Sequence, residues 1–207
     1  MNILEPRHIV FLAGFAVEFW IRHVFFQRTK NEKKTIRRFD RSERVLLAAM
    51  FPPVVLLPLL FLFTPTLAFA DYRLPTLIAW LGAVTMAASL WLFWRSHADL
   101  GQNWSVSLEI REGHQLVTQG VYRYIRHPMY ASIWLWGIAQ GMLLQNWLAG
   151  WAVLPVFAFM YYLRTHREEQ MMCDAFGDRY REYMRRTGRL FPRINTGSTT
   201  HAQKEED

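Results

Sequence analysis

Two short stretches concentrate groups able to do chemistry in an otherwise oily chain. The first, "GVYRYIRHPMY" at residues 120–130, places Arg123, Arg126, His127 and the rings of Tyr122, Tyr124 and Tyr130 directly before an apolar run. The second, "RTHREE" at residues 164–169, spaces Arg164 and Glu168 four apart, so that on a helix they share one face. A guanidinium can grip an anion with several directed donors, and an imidazole or carboxylate can take a proton. In water, the Arg164/Glu168 spacing alone makes only a modest surface ion pair.

The elements that must position these groups are apolar. Of 207 residues, 52% are hydrophobic and 15% aromatic, more than a water-soluble domain of this length usually carries. Five segments approach the ~20 residues needed to cross a bilayer core. They run from about His8 to Phe26, Val45 to Ala70, Leu74 to Trp94, Met129 to Leu144 and Trp147 to Leu163. Pro52, Pro53 and Pro58 remove backbone donors from the second, which predicts a bend packed against neighbours that supply partners to the freed carbonyls. Only Gln145 and Asn146 separate the last two segments, which predicts an antiparallel helical hairpin. The start of the chain lacks the basic region and cleavage site of a removable signal, so the first span is expected to be retained.

Charge orients the spans. Lysine and arginine number eight in residues 27–44, four in 95–126 and nine from Arg164 onward, whereas the opposite-side segments hold Arg7 and Arg73. With the N-terminus outside and the C-terminus inside, all three basic segments fall on the cytoplasmic side. The net charge of +7 is thereby explained by topology and lipid contact, and no nucleic-acid partner is expected. No CxxC pair or HExxH is present and no metal is expected; the single Cys173 reads as a small buried apolar residue. Glu18, Arg22 and His23 put charge inside the first span, which is either functional or near enough to the cytoplasmic end to snorkel.

The roughly 35-residue loop before the fourth span is too long to be structureless without a function. Its "SVSLEI" alternates weakly, too briefly for a firm strand assignment, and Pro128 fits the first turn of the fourth helix. Beyond the fifth span, Met171, Met172, Ala175 and Phe176 form an apolar stripe that Tyr180 and Tyr183 extend past a helix break at Gly177. Periodicity alone makes this an amphipathic helix on the membrane surface. Trp134 and Trp136 read as packing or interface residues, Glu169 as the solvent-facing neighbour of Glu168, and Arg123 and Arg126 equally as phosphate anchors or site residues.

Taken in order, "HQLVTQGVYRYIRHPMY", "RTHREE" and "FGDRYREYMRRTGRLFP" resemble the isoprenylcysteine carboxyl methyltransferase family of integral-membrane enzymes, over roughly Leu100 to Pro192. The resemblance implies an all-α integral membrane fold of about five helices. Residues 1–94 would hold the first three spans, 95–192 the methyltransferase core and 193–207 a disordered polar tail. It implies S-adenosylmethionine as cofactor, held by His114, Gln115, Leu116, Val117 and Tyr122, by the tetrad His127, Pro128, Met129 and Tyr130, and by Glu168. Arg164 would face a lipophilic methyl acceptor, with Arg164 and Glu168 as the catalytic pair. A family glutamine falls here on Ser107, a departure in the cofactor's upstream wall.

A carboxylate acceptor needs no base, and Arg164 could hold it by bidentate contact; an amine or thiol would need one, with His127 or Glu168 as candidates. Two other classes remain: an NADPH-dependent membrane reductase resembling the sterol reductases, which share a similar H-P-x-Y pattern, and a non-catalytic membrane protein.

Overall fold

In a computed structural model, the structure describes residues 4–29, 34–37, 41–101, 109–111 and 115–193. The chain builds helices α1 (Pro6–Thr29), α2 (Arg41–Ala49), α3 (Leu57–Phe63), α4 (Thr76–Leu100), α5 (Pro128–Leu144), α6 (Trp147–Trp151), α7 (Val153–Phe176) and α8 (Asp178–Arg186). Among the described residues, four stretches are long and apolar enough to cross a membrane: Pro6–Arg28, Arg41–Phe63, Thr76–Leu100 and Trp147–Phe176. The protein is a multi-pass helical membrane protein. Of the five expected spans, the fourth is the short one: α5 has 17 residues, about 26 Å at 1.5 Å per residue, just under the ~30 Å hydrocarbon core. Phe19, Trp20, Trp80 and Phe159 are each more than 60% exposed, as side chains facing lipid should be.

The second span stops at Phe63, short of the expected Ala70, and residues 68–70 form a separate short turn. Its prolines bend it as predicted, with Pro52–Leu56 widening into a π-helical turn between α2 and α3. The Leu57 N–H reaches back to Pro52 O, and Pro58 has no N–H to offer. Pro53 O instead accepts from Gln140 Nε2 of α5 at 2.9 Å. The same Nε2 donates to Ala149 O at 2.7 Å, while Gln140 Oε1 accepts from Trp136 Nε1 at 2.9 Å. One buried amide therefore satisfies three elements where no water can.

The α5–α6 hairpin forms as expected. Gln145 takes the left-handed conformation (φ 49°) and Asn146 caps α6 by accepting from the N–H groups of Leu148 and Ala149. Small residues let the helices touch: a Cβ on Gly141 would lie 2.5 Å from the Trp151 ring. The α4–α5 contact is the most extensive helix pair, tied by Ser89 Oγ donating to Ser132 O at 2.8 Å. α4 runs six residues beyond the expected Trp94, to Leu100, so the expected domain boundary at 94/95 falls inside a helix. A two-stranded antiparallel ribbon pairs β1 (Lys34–Arg37) with β2 (Glu109–Arg111), Ile36 opposite Ile110. The weak alternation of "SVSLEI" thus marks a strand at its end, completed by a partner in the basic loop.

Candidate functional site

The site is assembled where α4 ends and α5 begins. Gly120 opens a 3₁₀ turn, Gly120–Arg123, at φ 59°. A Cβ there would sit 2.0 Å from Asp99 Oδ2, so glycine is required both by its dihedral and by the approach of the last turn of α4. Asp99 accepts from the Val121 N–H at 2.8 Å and pairs with Arg95 at 2.7 Å. This fastens the turn and buries Tyr122. Tyr183 of α8 donates its hydroxyl to Tyr122 O at 2.6 Å. Burial raises the Tyr122 and Tyr180 hydroxyls and pushes Tyr183 up to about 12, so at neutral pH all three are donors and not bases.

The C-terminal segment clamps the same turn. Arg126 and His127 donate their backbone N–H groups to Gly188 O (2.8 Å) and Arg189 O (3.0 Å). Beneath them Glu169 is buried (7% exposed) and gathers three cationic or proton-bearing groups. Its Oε1 accepts from Arg126 Nη2 at 3.0 Å, His127 Nε2 at 3.2 Å and Arg189 Nε at 3.1 Å, and its Oε2 from Arg189 Nη2 at 2.5 Å. The bond to Glu169 raises the Arg189 pKa. Arg126 Nη1 also donates to Met184 O at 3.1 Å and to Thr187 O. The expectation that Glu169 faces solvent is therefore wrong: once the chain turns back over α7, its side of the helix is interior. Arg126 belongs to this cluster, whereas Arg123 is exposed.

A cavity of about 530 Å³ runs beside this clamp. Gln115, Leu116 and Val117 of the loop line it, as does Tyr122, and so does the whole tetrad His127, Pro128, Met129 and Tyr130. Arg164 and Glu168 line it from α7. Apart from His114 and Ser107, which lie outside the described residues, every candidate from the sequence meets in one place. Tyr130 donates its hydroxyl to Glu168 Oε2 at 2.8 Å, fixing that carboxylate at the cavity wall. His127 is 4% exposed, with Nε2 held 3.2 Å from Oε1 of Glu169.

Arg164 also meets a carboxylate from another helix. It is 9% exposed, and its Nη2 lies 3.0 Å from Oε1 of Glu43, a fully buried carboxylate on α2. Glu43 and Asp99 were not singled out from sequence, and Glu169 was assigned to solvent. The stripe of α7 and α8 expected on the membrane surface is also turned inward, with Met171, Tyr180 and Tyr183 buried and lining the cavity. Trp134 packs edge-on against Phe157 as expected of a core residue. Trp136 both packs against Phe11 and lines the cavity. Cys173 is half-buried rather than buried.

Much of the remaining lining of the cavity is apolar. Phe15 and Phe19 of α1, Met50 and Phe51 after α2, and Val54 and Val55 of the π turn form its wall. Its volume falls within the ~300–1,000 Å³ typical of small-molecule sites, and its lining joins ionic and apolar residues in one space.

Comparisons with known proteins converge on this region. The isoprenylcysteine carboxyl methyltransferase (ICMT) family profile matches residues 80–174. A protein-S-isoprenylcysteine O-methyltransferase of Dictyostelium discoideum is 30% identical over 122 residues, covering 56% of this chain and 50% of its own. The cobalt-zinc-cadmium resistance protein CzcN of Cupriavidus metallidurans is 35% identical over 102 residues, covering 48% of this chain and 46% of its own. The chain thus spans about half the length of these relatives. The structure of a eukaryotic intramembrane Ras methyltransferase ICMT superposes with a TM-score of 0.61 at 22% identity, covering 93% of this chain and 70% of that one. The fold is shared along nearly the whole chain, including helices outside the matched segment.

Proposed function

We propose, from the match of residues 80–174 to the isoprenylcysteine carboxyl methyltransferase family, that the protein is an integral-membrane methyltransferase that moves a methyl group from S-adenosylmethionine to the carboxylate of an isoprenylcysteine-like or other apolar acceptor. The observation that carries the reading is a cavity whose lining has two characters: polar groups such as Gln115, Tyr130, Arg164 and Glu168 together with apolar ones such as Phe15, Phe19, Val54 and Val55. A water-soluble donor and a lipid-soluble acceptor need such a meeting place.

When bound, S-adenosylmethionine supplies a methyl group on a positively charged sulfur. Gln115–Val117 and the His127–Tyr130 tetrad wall its end of the cavity, and Tyr122 offers a buried ring. Glu168, held by Tyr130, attracts the cofactor's cationic portion. Arg164 orients the acceptor carboxylate, and Glu43 holds the guanidinium in place from below. A carboxylate arrives already deprotonated, so the site has to orient it and exclude water without removing a proton. Glu169 acts through position: it ties His127, Arg126 and Arg189 into the clamp that closes the cofactor end.

Phe19 and Phe51 line the cavity and are also 63% and 57% exposed, which supports entry of the acceptor sideways from the bilayer. The basic segments set the N-terminus outside and the C-terminus inside, so that the cofactor end faces the cytoplasm. Within this reading residues 1–94 supply the acceptor wall and 95–192 the methyl-transfer core.

The test is calorimetric titration of detergent-purified protein with S-adenosylmethionine and, separately, NADPH. Saturable S-adenosylmethionine binding that weakens in Glu168→Ala is expected. Binding of NADPH alone would replace the reading with a reductase, and binding of neither would remove the enzyme reading.

A further inference from the structure

α1 carries an ion pair inside an apolar span and outside the family-matched segment, and no role proposed so far uses it. Charge within a membrane-spanning helix is costly and is rarely kept without a function. Arg22 Nη2 donates to Glu18 Oε1 at 2.6 Å and Nε to the same oxygen at 3.2 Å. The guanidinium carbon stands 5.1 Å over the Phe93 ring, which fixes its plane. Both contacts fall on one carboxylate oxygen, and among the described residues Nη1 of Arg22 has no hydrogen-bond partner. The Arg22 side chain remains 43% exposed.

The pair belongs to the cavity. Phe15, Glu18, Phe19 and Arg22 follow i, i+3, i+4, i+7 spacing, so they share one helix face, and all four line the same space as Arg164. From Phe15 to Arg22 the stripe rises about 10 Å along the axis, with Glu18 between the two phenylalanines and the guanidinium of Arg22 last. An amphiphile laid along it has its chain on the phenylalanines and an anionic group at Arg22.

We propose that Arg22 is a second anion-binding group of this cavity, and that the acceptor is an apolar chain bearing two anionic groups, one oriented by Arg164 and the other gripped by the open edge of Arg22. The inference rests on the methyl-transfer reading for the role of Arg164, and its test uses binding so that the two can fail separately. Glu18 neutralises the guanidinium when no ligand is present and leaves the Nη1 edge available.

The probes are farnesylthioacetic acid, with one carboxylate, and farnesylthiosuccinic acid, with two, each titrated calorimetrically into detergent-purified protein. The wild type is expected to bind the dicarboxylate about tenfold or more tighter, the scale of a charge-assisted contact. Arg22→Gln should abolish that preference while leaving monocarboxylate and S-adenosylmethionine affinities unchanged. Arg22→Lys, which keeps the charge and guards against misfolding, should retain part of it, and Glu18→Gln should enlarge it. Equal wild-type affinities, equal weakening of both probes or of S-adenosylmethionine in Arg22→Gln, or failure of either probe to bind would overturn the inference. A preference that persists in a protein unable to methylate either probe leaves the anion site standing and removes the methyl-transfer reading; methylation without a preference does the reverse.

Discussion

Replacing Arg164 by alanine should damage the protein twice, and the two effects can be separated. The guanidinium lies 3.0 Å from Glu43, with the two side chains 10% and 0% exposed. At that separation the gross attraction is about 5–6 kcal/mol at an effective dielectric of about 20, most of it offset by desolvating both ions. Removing one partner takes the Arg164 counterion away from a fully buried carboxylate, a loss of up to about 3–5 kcal/mol of stability. Removing both charges, as in Arg164→Met with Glu43→Gln, should restore part of that loss, because the remaining side chains fill the space without a buried charge that has lost its Arg164 counterion. Methyl transfer should be absent from both variants, since neither can orient an acceptor carboxylate. Unfolding in mixed micelles, followed by tryptophan fluorescence, measures the first effect, and turnover the second. A loss below about 1 kcal/mol in Arg164→Ala would show that the pair behaves like a solvated surface contact. Turnover regained by the double variant would refute the role of Arg164.

Gly120→Ala would force a Cβ to within 2.0 Å of the Asp99 carboxylate in a left-handed backbone; calorimetry should show weakened S-adenosylmethionine binding, with about 1–3 kcal/mol of stability lost. Glu169→Gln leaves Arg126 and Arg189 without their shared counterion, so trypsin should cut at the arginines of residues 179–193 well before it cuts elsewhere in the folded protein. Gln140→Leu strands the carbonyls of Pro53 and Ala149; about 1–3 kcal/mol per unsatisfied group should appear as a lower melting temperature, with cofactor affinity unchanged.

The parts legible in the sequence were those governed by local chemistry. Proline's missing donor announced the bend at Pro52–Leu56, and the short polar break at Gln145 and Asn146 announced the hairpin. The cavity residues of the loop and of α7 were legible through motif resemblance. What stayed hidden depends on contacts between distant segments. Glu43 sits in a run of basic residues and reads as loop charge until α2 packs beside α7. Glu168 and Glu169 are neighbours of the same type about 100° apart on a helix. Only the return of the C-terminal segment over Arg126 and His127 makes Glu169 the interior one. Gln140 reads as an incidental amide in an apolar helix because its partner, Pro53, is 87 residues away.

The central claim is methyl transfer to a carboxylate, and a methyl ester has a chemical signature that amines and thioethers lack. The most direct measurement incubates the detergent-purified protein with methyl-labelled S-adenosylmethionine and farnesylthioacetic acid, extracts the lipid phase, and treats it with base. The account predicts label in the extract that is released as volatile methanol, absent from Arg164→Ala and from the Arg164→Met/Glu43→Gln double variant. Label that resists base would place the methyl group on another atom, and no transfer by protein that binds both ligands would contradict the account.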